Sequence, residues 1–404
     1  MLSHHEQLAR LAAAVPHAGA AAVVAGDPCF DRLVASEHLR SAYRSALGVN
    51  DDRTMIAVTS TWGRRSLFGS NPDLVAHLAG ELDLDNHTVA VILHPNTWYA
   101  HSPAQIRWWL GDCLRAGVRL IPPIRGWQQA LIASDIVIGD HGSVTGYAAA
   151  LGRPTLLAEF PDEDVVPTSV IDALGQSTPR LDCRAPLQAQ LDAARLISPD
   201  PQIRALTTSA PGESQLRLRA KFYLLMKLAP PPSSVRVPSY EPDDLEPIHS
   251  PLTAWWTATT RDADGNYLVR RWAAEPIARP DRPPVNVERH LVASTTEARR
   301  DLSSNAAICI VDDGRGLDDA APAIFTQHLA CSLAVARDGA TGCRIRHRDG
   351  WSVSLSIAPS NESDPAALAS VIYAHLNAGL PWTTIPDHIS AVLGTQQIAI
   401  TVDR

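Results

Sequence analysis

Lysine is almost missing from this chain. Of its 35 basic residues only Lys221 and Lys227 are lysine, and a GC-rich coding sequence explains that bias more simply than function does. Excess positive charge is missing too: the formal net charge is -8, which argues against a general nucleic-acid binder. The six cysteines, at 29, 113, 183, 309, 331 and 343, form no C-x-x-C pair. That argues against a zinc knuckle and a disulfide framework, and suits a reducing, cytoplasmic setting. No apolar run reaches the roughly 18 residues of a transmembrane span, and no signal peptide is read at the start. No G-x-G-x-x-G follows a strand, and there is no G-x-x-x-x-G-K-[ST] or G-x-S-x-G. Dinucleotide, P-loop and nucleophile-elbow readings therefore fall away. His94 and His101 stand seven apart across a proline, so they make no helical metal pair, and no metal site is expected.

What is present is an alternation. With 404 residues, 45% of them apolar, the chain has material for two or three domains. Residues 4–25 read as an Ala-rich helix and a short strand, AAVVAG, followed by GDPCFDRL and a helix through SEHLRSAYRSALG. From residue 54 largely apolar strands (54–61, 88–95, 118–123, 136–141, 154–160) alternate with helices (71–82, 102–117, 126–135, 143–152). Continuous apolar strands between helices predict a parallel sheet covered on both faces, a doubly wound, Rossmann-like α/β domain. Helical sequence continues over 187–229. Residues 228–247 are rich in proline and acid and read as a linker. Residues 251–404 change rhythm, with strand-like runs, Asp-Gly hairpin turns in ARDGA and HRDGW, a helix over 364–379 and a last strand, QIAITV. They predict a separate α+β domain.

In a doubly wound sheet, ligands bind outside the carboxyl ends of the strands. The residues there are Ser60-Thr61-Trp62-Gly63, His94-Pro95-Asn96, the stretch from Pro122 to Trp127, and Asp140-His141-Gly142-Ser143-Val144-Thr145. A helix beginning at Ser143 offers free N–H groups and a partial positive charge, the means by which proteins hold phosphate. Gly142 permits close approach of a ligand, Ser143 and Thr145 add hydroxyls, and His141 can donate to a phosphate oxygen. Taken alone, this corner has a plainer reading: Asp140 or Ser143 caps the helix and His141 is a satisfied surface histidine. His94 at a second strand end, and Ser60, Thr61 and Gly63 at a third, favour a site. Arg64 and Arg65 on the next loop could face a diphosphate, and Arg125 and Trp127 could meet a base.

These motifs resemble the carboxyl-terminal, donor-binding lobe of GT-B-fold transferases. They are most similar to the group containing CDP-glycerol glycerophosphotransferases of teichoic acid synthesis and bacterial polysialyltransferases. There a strand ending in His-Pro, as in Leu93-His94-Pro95, precedes a Ser/Thr-rich turn entering a helix, as in His141-Gly142-Ser143-Val144-Thr145. The resemblance covers about residues 26–229. It implies that both motifs bind the phosphates of a nucleotide-linked donor, with His94 and His141 as catalytic candidates. The candidate binding residues are Ser60, Thr61, Gly63, Arg64, Arg125, Trp127, Asp140, Gly142, Ser143 and Thr145. It implies transfer of a glycosyl or glycerol-phosphate group in cell-envelope synthesis, with the nucleotide diphosphate as substrate and no cofactor. UDP-N-acetylglucosamine 2-epimerases share the lobe, so an epimerase-like enzyme is an alternative, with Asp140 and Glu159 as its carboxylates. A non-catalytic nucleotide-binding or protein-interaction scaffold is another.

The expected organisation is then a remnant of a first lobe at 1–25, the donor-binding domain at 26–229, a linker at 230–250 and the α+β domain at 251–404, whose role is unassigned. A GT-B enzyme needs two lobes, so the resemblance leaves three expectations open: a longer ancestral gene, a partner subunit that supplies the first lobe, or loss of transfer activity. Three other features are read as structural. Arg344, Arg346 and Arg348 make a solvated strand face, and Arg270-Arg271 an exposed strand edge. Trp108-Trp109 and Trp255-Trp256 are read as core and interface rather than as a binding platform.

Overall fold

A computed structural model describes residues 1–274, 288–312, 314–359 and 364–404. Two compact units emerge. The first comprises Met1–Val75, Thr88–Leu110 and Val118–Ile248; the second comprises Ala76–His87, Gly111–Gly117 and His249–Arg404.

The first unit is built on the expected parallel sheet. Its strands are β1 (Thr54–Ser60), β2 (His87–Leu93), β3 (Arg119–Ile121), β4 (Ile136–Gly139) and β5 (Thr155–Leu157), in the order β3-β2-β1-β4-β5. Ile56 stands opposite Ile136, Val91 opposite Leu120 and Ile138 opposite Leu156. Every residue of β2 and β4 is buried, which is why these strands read as continuous apolar runs. The strand order reverses between β1 and β4, so the crevice outside their carboxyl ends is the switch point. Helices pack Phe30, Leu33, Tyr43 and Leu131 against the sheet, together with Ala148 and Ala149 of the helix Ser143–Ala150.

Local departures have local causes. The single helix expected over 102–117 is broken into Pro103–Trp109 and Gly111–Arg115, preceded by a helix Pro95–His101. Pro103 cannot donate to the preceding turn and excludes its neighbour from helical geometry, and Ser102 takes φ 69°. The helix expected from Asn71 starts at Leu74, after a short turn of helix Leu67–Ser70. AAVVAG forms only a bridge from Val24 to Leu2. Within 228–247, Tyr240 and Leu245 are buried against the first unit's core. The Tyr43 hydroxyl donates to the Tyr240 carbonyl at 2.6 Å and Gln129 to that of Glu241 at 2.9 Å.

The second unit is a closed, mixed barrel of nine strands. They are β6 (Ala254–Arg261), β7 (Tyr267–Ala273), β8 (Arg289–Ser294), β9 (Ile308–Ile310), β10 (Leu333–Asp338), β11 (Gly342–His347), β12 (Ser352–Ile357), β13 (His388–Leu393) and β14 (Gln396–Asp403). Alternate residues such as Val292, Ile308, Ile310, Leu333, Val335, Ile345 and Leu355 form one core with Ala366–Ile372, the segment leading into the helix Ala369–Asn377. The opposite face, with Leu291, Ala293, Cys309 and Ala334, packs on a helix Leu317–Gln327.

The arginines of CRIRHR lie on an exposed strand face, with Arg344 47% and Arg346 37% exposed, and they have partners there. Arg344 and Arg346 pair with Asp318 of that helix, and Arg348 donates to the carbonyls of Phe325, His328 and Cys331. One reading needs correction: Arg271 is no exposed edge, being 14% exposed and bidentate to Asp85, at 2.5 Å for the closest pair. In both cases the partner is remote in sequence.

Candidate active-site crevice

The hub of the first unit's crevice is Asp140, fully buried at the end of β4. Its Oδ1 accepts the N–H of Gly142 at 2.9 Å, and its Oδ2 accepts those of Thr61 at 2.8 Å and Leu67 at 2.9 Å. The Ser60 hydroxyl also lies 3.3 Å from Oδ2. Burial pushes the carboxyl above the ordinary Asp range, against the pull of these N–H donors and of nearby His141. One side chain thus ties the loop after β1 to the turn after β4. Gly142 fits because a Cβ there would lie 2.9 Å from Asp140 Oδ1 and 3.2 Å from Thr61 Cβ. The close approach expected of this glycine is therefore to Thr61 and Asp140.

Beyond Gly142 the helix Ser143–Ala150 starts with no side-chain cap. The N–H groups of its first turn lack intrahelical acceptors by geometry and carry the positive end of the helix dipole. Thr145, fully buried, pairs its hydroxyl with Thr59 at 2.8 Å and so pins this helix to β1.

His94 closes the crevice from β2. Its backbone N–H donates to the Ser60 carbonyl at 3.0 Å, and its Nδ1 accepts the N–H of Asn96 at 3.0 Å as the cap of the helix Pro95–His101. An accepting Nδ1 puts the ring proton on Nε2. Partial burial lowers the His94 pKa below the usual value, while Asp140 acts to raise it. At neutral pH the ring is a neutral donor through Nε2.

Ser60, Thr61, His94, Trp127, Asp140, Gly142, Ser143 and Thr145 all line one crevice of about 100 Å³, with Pro122 and Pro123 on its β3 side. The volume suits a phosphate group rather than a whole nucleotide. The other candidates lie elsewhere. His141 sits edge-on to Phe160, ring centroids 6.3 Å apart, with a buried Nδ1 that has no partner. Arg125 is mostly exposed and pairs with Asp244 at 3.1 Å. Arg65 pairs with Glu163 and Asp164. Gly63 and Arg64 line a second cavity of about 640 Å³, with Trp62, Phe68, Asp73, His101 and Trp109. Of the core-and-interface reading of Trp108-Trp109, the core part does not hold: they are 78% and 39% exposed. Phe68, Asp73, His101 and Trp109 are among the cavity residues that strand-end reasoning missed. They lie on helices and loops, where no spacing rule brings them together.

No protein-family description matches this chain, and no curated protein matches it by sequence. Among solved structures it is similar to the wall teichoic acid polymerase TagF. A variant of that polymerase matches at 14% identity over 56% of this chain and 57% of that one, with a TM-score of 0.37. Another TagF structure matches at 17% identity over 39% and 37%, with a TM-score of 0.27. A TagF variant crystal soaked with CDPG matches at 17% over 34% and 31%, with a TM-score of 0.23. The chain spans less than two thirds of each of these polymerase chains.

Proposed function

We propose that the first unit seats a phosphate of a nucleotide-diphosphate donor in the β1/β2/β4 crevice and transfers a glycosyl or glycerol-phosphate group from that donor. The observation that carries this reading is that the uncapped start of the helix Ser143–Ala150, His94, Thr61 and Ser143 line one phosphate-sized space. Negative charge grows on the departing nucleotide during such a transfer. The helix N–H groups and His94 are donors fixed in advance where that charge develops, which is how a site stabilises it without reorganising. Asp140 serves by holding the two loops in register, not by touching the donor.

One observation supports a second reading, a nucleotide-binding scaffold without turnover. The crevice's own carboxylate, Asp140, is fully engaged with backbone donors and is not available as a base. The epimerase-like alternative has less support still, since its carboxylates are already engaged: Glu159 accepts from Ser70 at 2.7 Å and Asp140 from backbone donors.

Calorimetry with CDP, UDP and CMP tests the binding step. One of them is expected to bind, and His94→Ala is expected to weaken it about tenfold, the value of one charge-assisted hydrogen bond. Absence of binding by all three would overturn the proposal. Binding without consumption of CDP-glycerol or a UDP-sugar would favour the scaffold.

A further inference from the structure

We propose that the larger cavity beside the crevice is a saccharide site and takes a neutral sugar acceptor. This deepens the reading above and rests on it only for the word acceptor. The cavity holds about 640 Å³, within the range of sites that bury small ligands. Its walls are aromatic. Trp62 is 57% exposed and Trp109 39%, so both rings present aromatic surface to the cavity and to solvent.

The geometry of the rings selects the ligand. Trp109 meets His101 with centroids 4.9 Å apart and planes inclined at 61°, and meets Phe68 at 6.2 Å and 50°. Inclined rings make an angled cup and not the parallel slot that grips a flat base. A sugar ring presents C–H groups on its faces and hydroxyls around its edge, and an angled cup can press on the former. The hydroxyls need fixed donors and acceptors, and Asp73, Asn96 and Arg64 line the same cavity. Neither Asp73 nor Arg64 forms an ion pair with any described residue. The Asp73 carboxylate disfavours a second phosphate, and this polar set disfavours an acyl chain.

Position ties the cavity to the chemistry. Trp62 follows Thr61 directly, Asn96 follows His94 by two residues, and the rings of Trp62 and His94 stand 6.4 Å apart. A hydroxyl at the inner end of the cavity therefore lies beside the phosphate crevice.

The test is a tryptophan-fluorescence titration of the full chain, repeated by saturation-transfer NMR. The probes are glucose, galactose, N-acetylglucosamine and their β-1,4-linked disaccharides, with CDP and UDP titrated separately. At least one sugar is expected to perturb the emission. Trp109→Ala and Asp73→Asn are each expected to weaken it at least tenfold. Trp256→Ala, in the second unit, is expected to leave it unchanged, as Trp109→Ala should leave nucleotide binding. Circular dichroism melts of each variant establish that it is folded. The proposal is overturned if no sugar binds, if binding survives both cavity variants, or if Trp109→Ala abolishes nucleotide binding, since the cup would then hold a base. Nucleotide binding without sugar binding defeats this inference alone. Sugar binding without nucleotide binding defeats the donor reading alone.

Discussion

Asp140 shows how one residue can be legible in type and misread in role. At the end of an apolar strand, before Gly-Ser, it looks like a ligand contact. In the fold it is an acceptor for the N–H groups of Thr61, Leu67 and Gly142, three donors from segments up to 79 residues away in sequence. Asp140→Asn should be costly despite its shape, because the new amide must set an N–H against one of those donors. A buried donor left without a partner costs about 1–3 kcal/mol. Urea unfolding is expected to show a loss of that size, and the variant should bind nucleotide less tightly because Thr61 and Gly142 are no longer held in register. A variant as stable as wild type would mean that the carboxylate is not the hub. His94 was the opposite case: its place after β2 marked it from the sequence, and the structure adds the Asn96 N–H that fixes its tautomer.

At the scale of elements, strand positions followed from composition. Four of the five parallel strands lie within an expected apolar run and β2 starts one residue before its run, at His87, since burial on both faces keeps these strands largely apolar. The barrel was harder. β6, β8 and β13 went unread, as did the helix Leu317–Gln327, whose pattern is interrupted by Pro322. The joint between β4, β1 and the helix Ser143–Ala150 is a contact that no local pattern announces. A Cβ on Gly139 would lie 2.3 Å from Thr145 Oγ1 and 2.5 Å from Thr59 Oγ1, within a buried hydroxyl pair. Gly139→Ala must therefore push the helix off the sheet, at a cost of roughly 1–3 kcal/mol for overpacking. Thr145→Val, which relieves no crowding, should not rescue it. Full stability in Gly139→Ala by thermal melting would contradict this packing.

At the scale of the molecule, each unit carries its own core, and the second also carries a pH liability. His290 is 7% exposed inside the barrel, where its Nε2 lies 2.9 Å from the Ser370 hydroxyl, and burial lowers its pKa to about 4. A histidine that folds neutral gives its full stabilisation above the unfolded pKa of about 6.5 and loses it as pH falls from there toward 4. The loss should approach roughly 3 kcal/mol, so the barrel's melting temperature is expected to drop between pH 7 and pH 4. His290→Gln should flatten that dependence, and an equally steep curve in the variant would exclude His290 as its origin. By itself the sequence determined the doubly wound sheet, its strand ends and the polar residues gathered there. Apolar runs, glycines and prolines are local signals, and strand ends are where such a sheet leaves backbone groups open. Only the tertiary structure decided which of those residues face one crevice and which, like Arg125 and His141, turn aside. It alone decided that Asp140 binds the protein itself and that the cup of Trp62, Phe68, His101 and Trp109 exists. Those outcomes depend on contacts between distant segments, and side-chain direction across a fold is set by packing, not by neighbours in the chain.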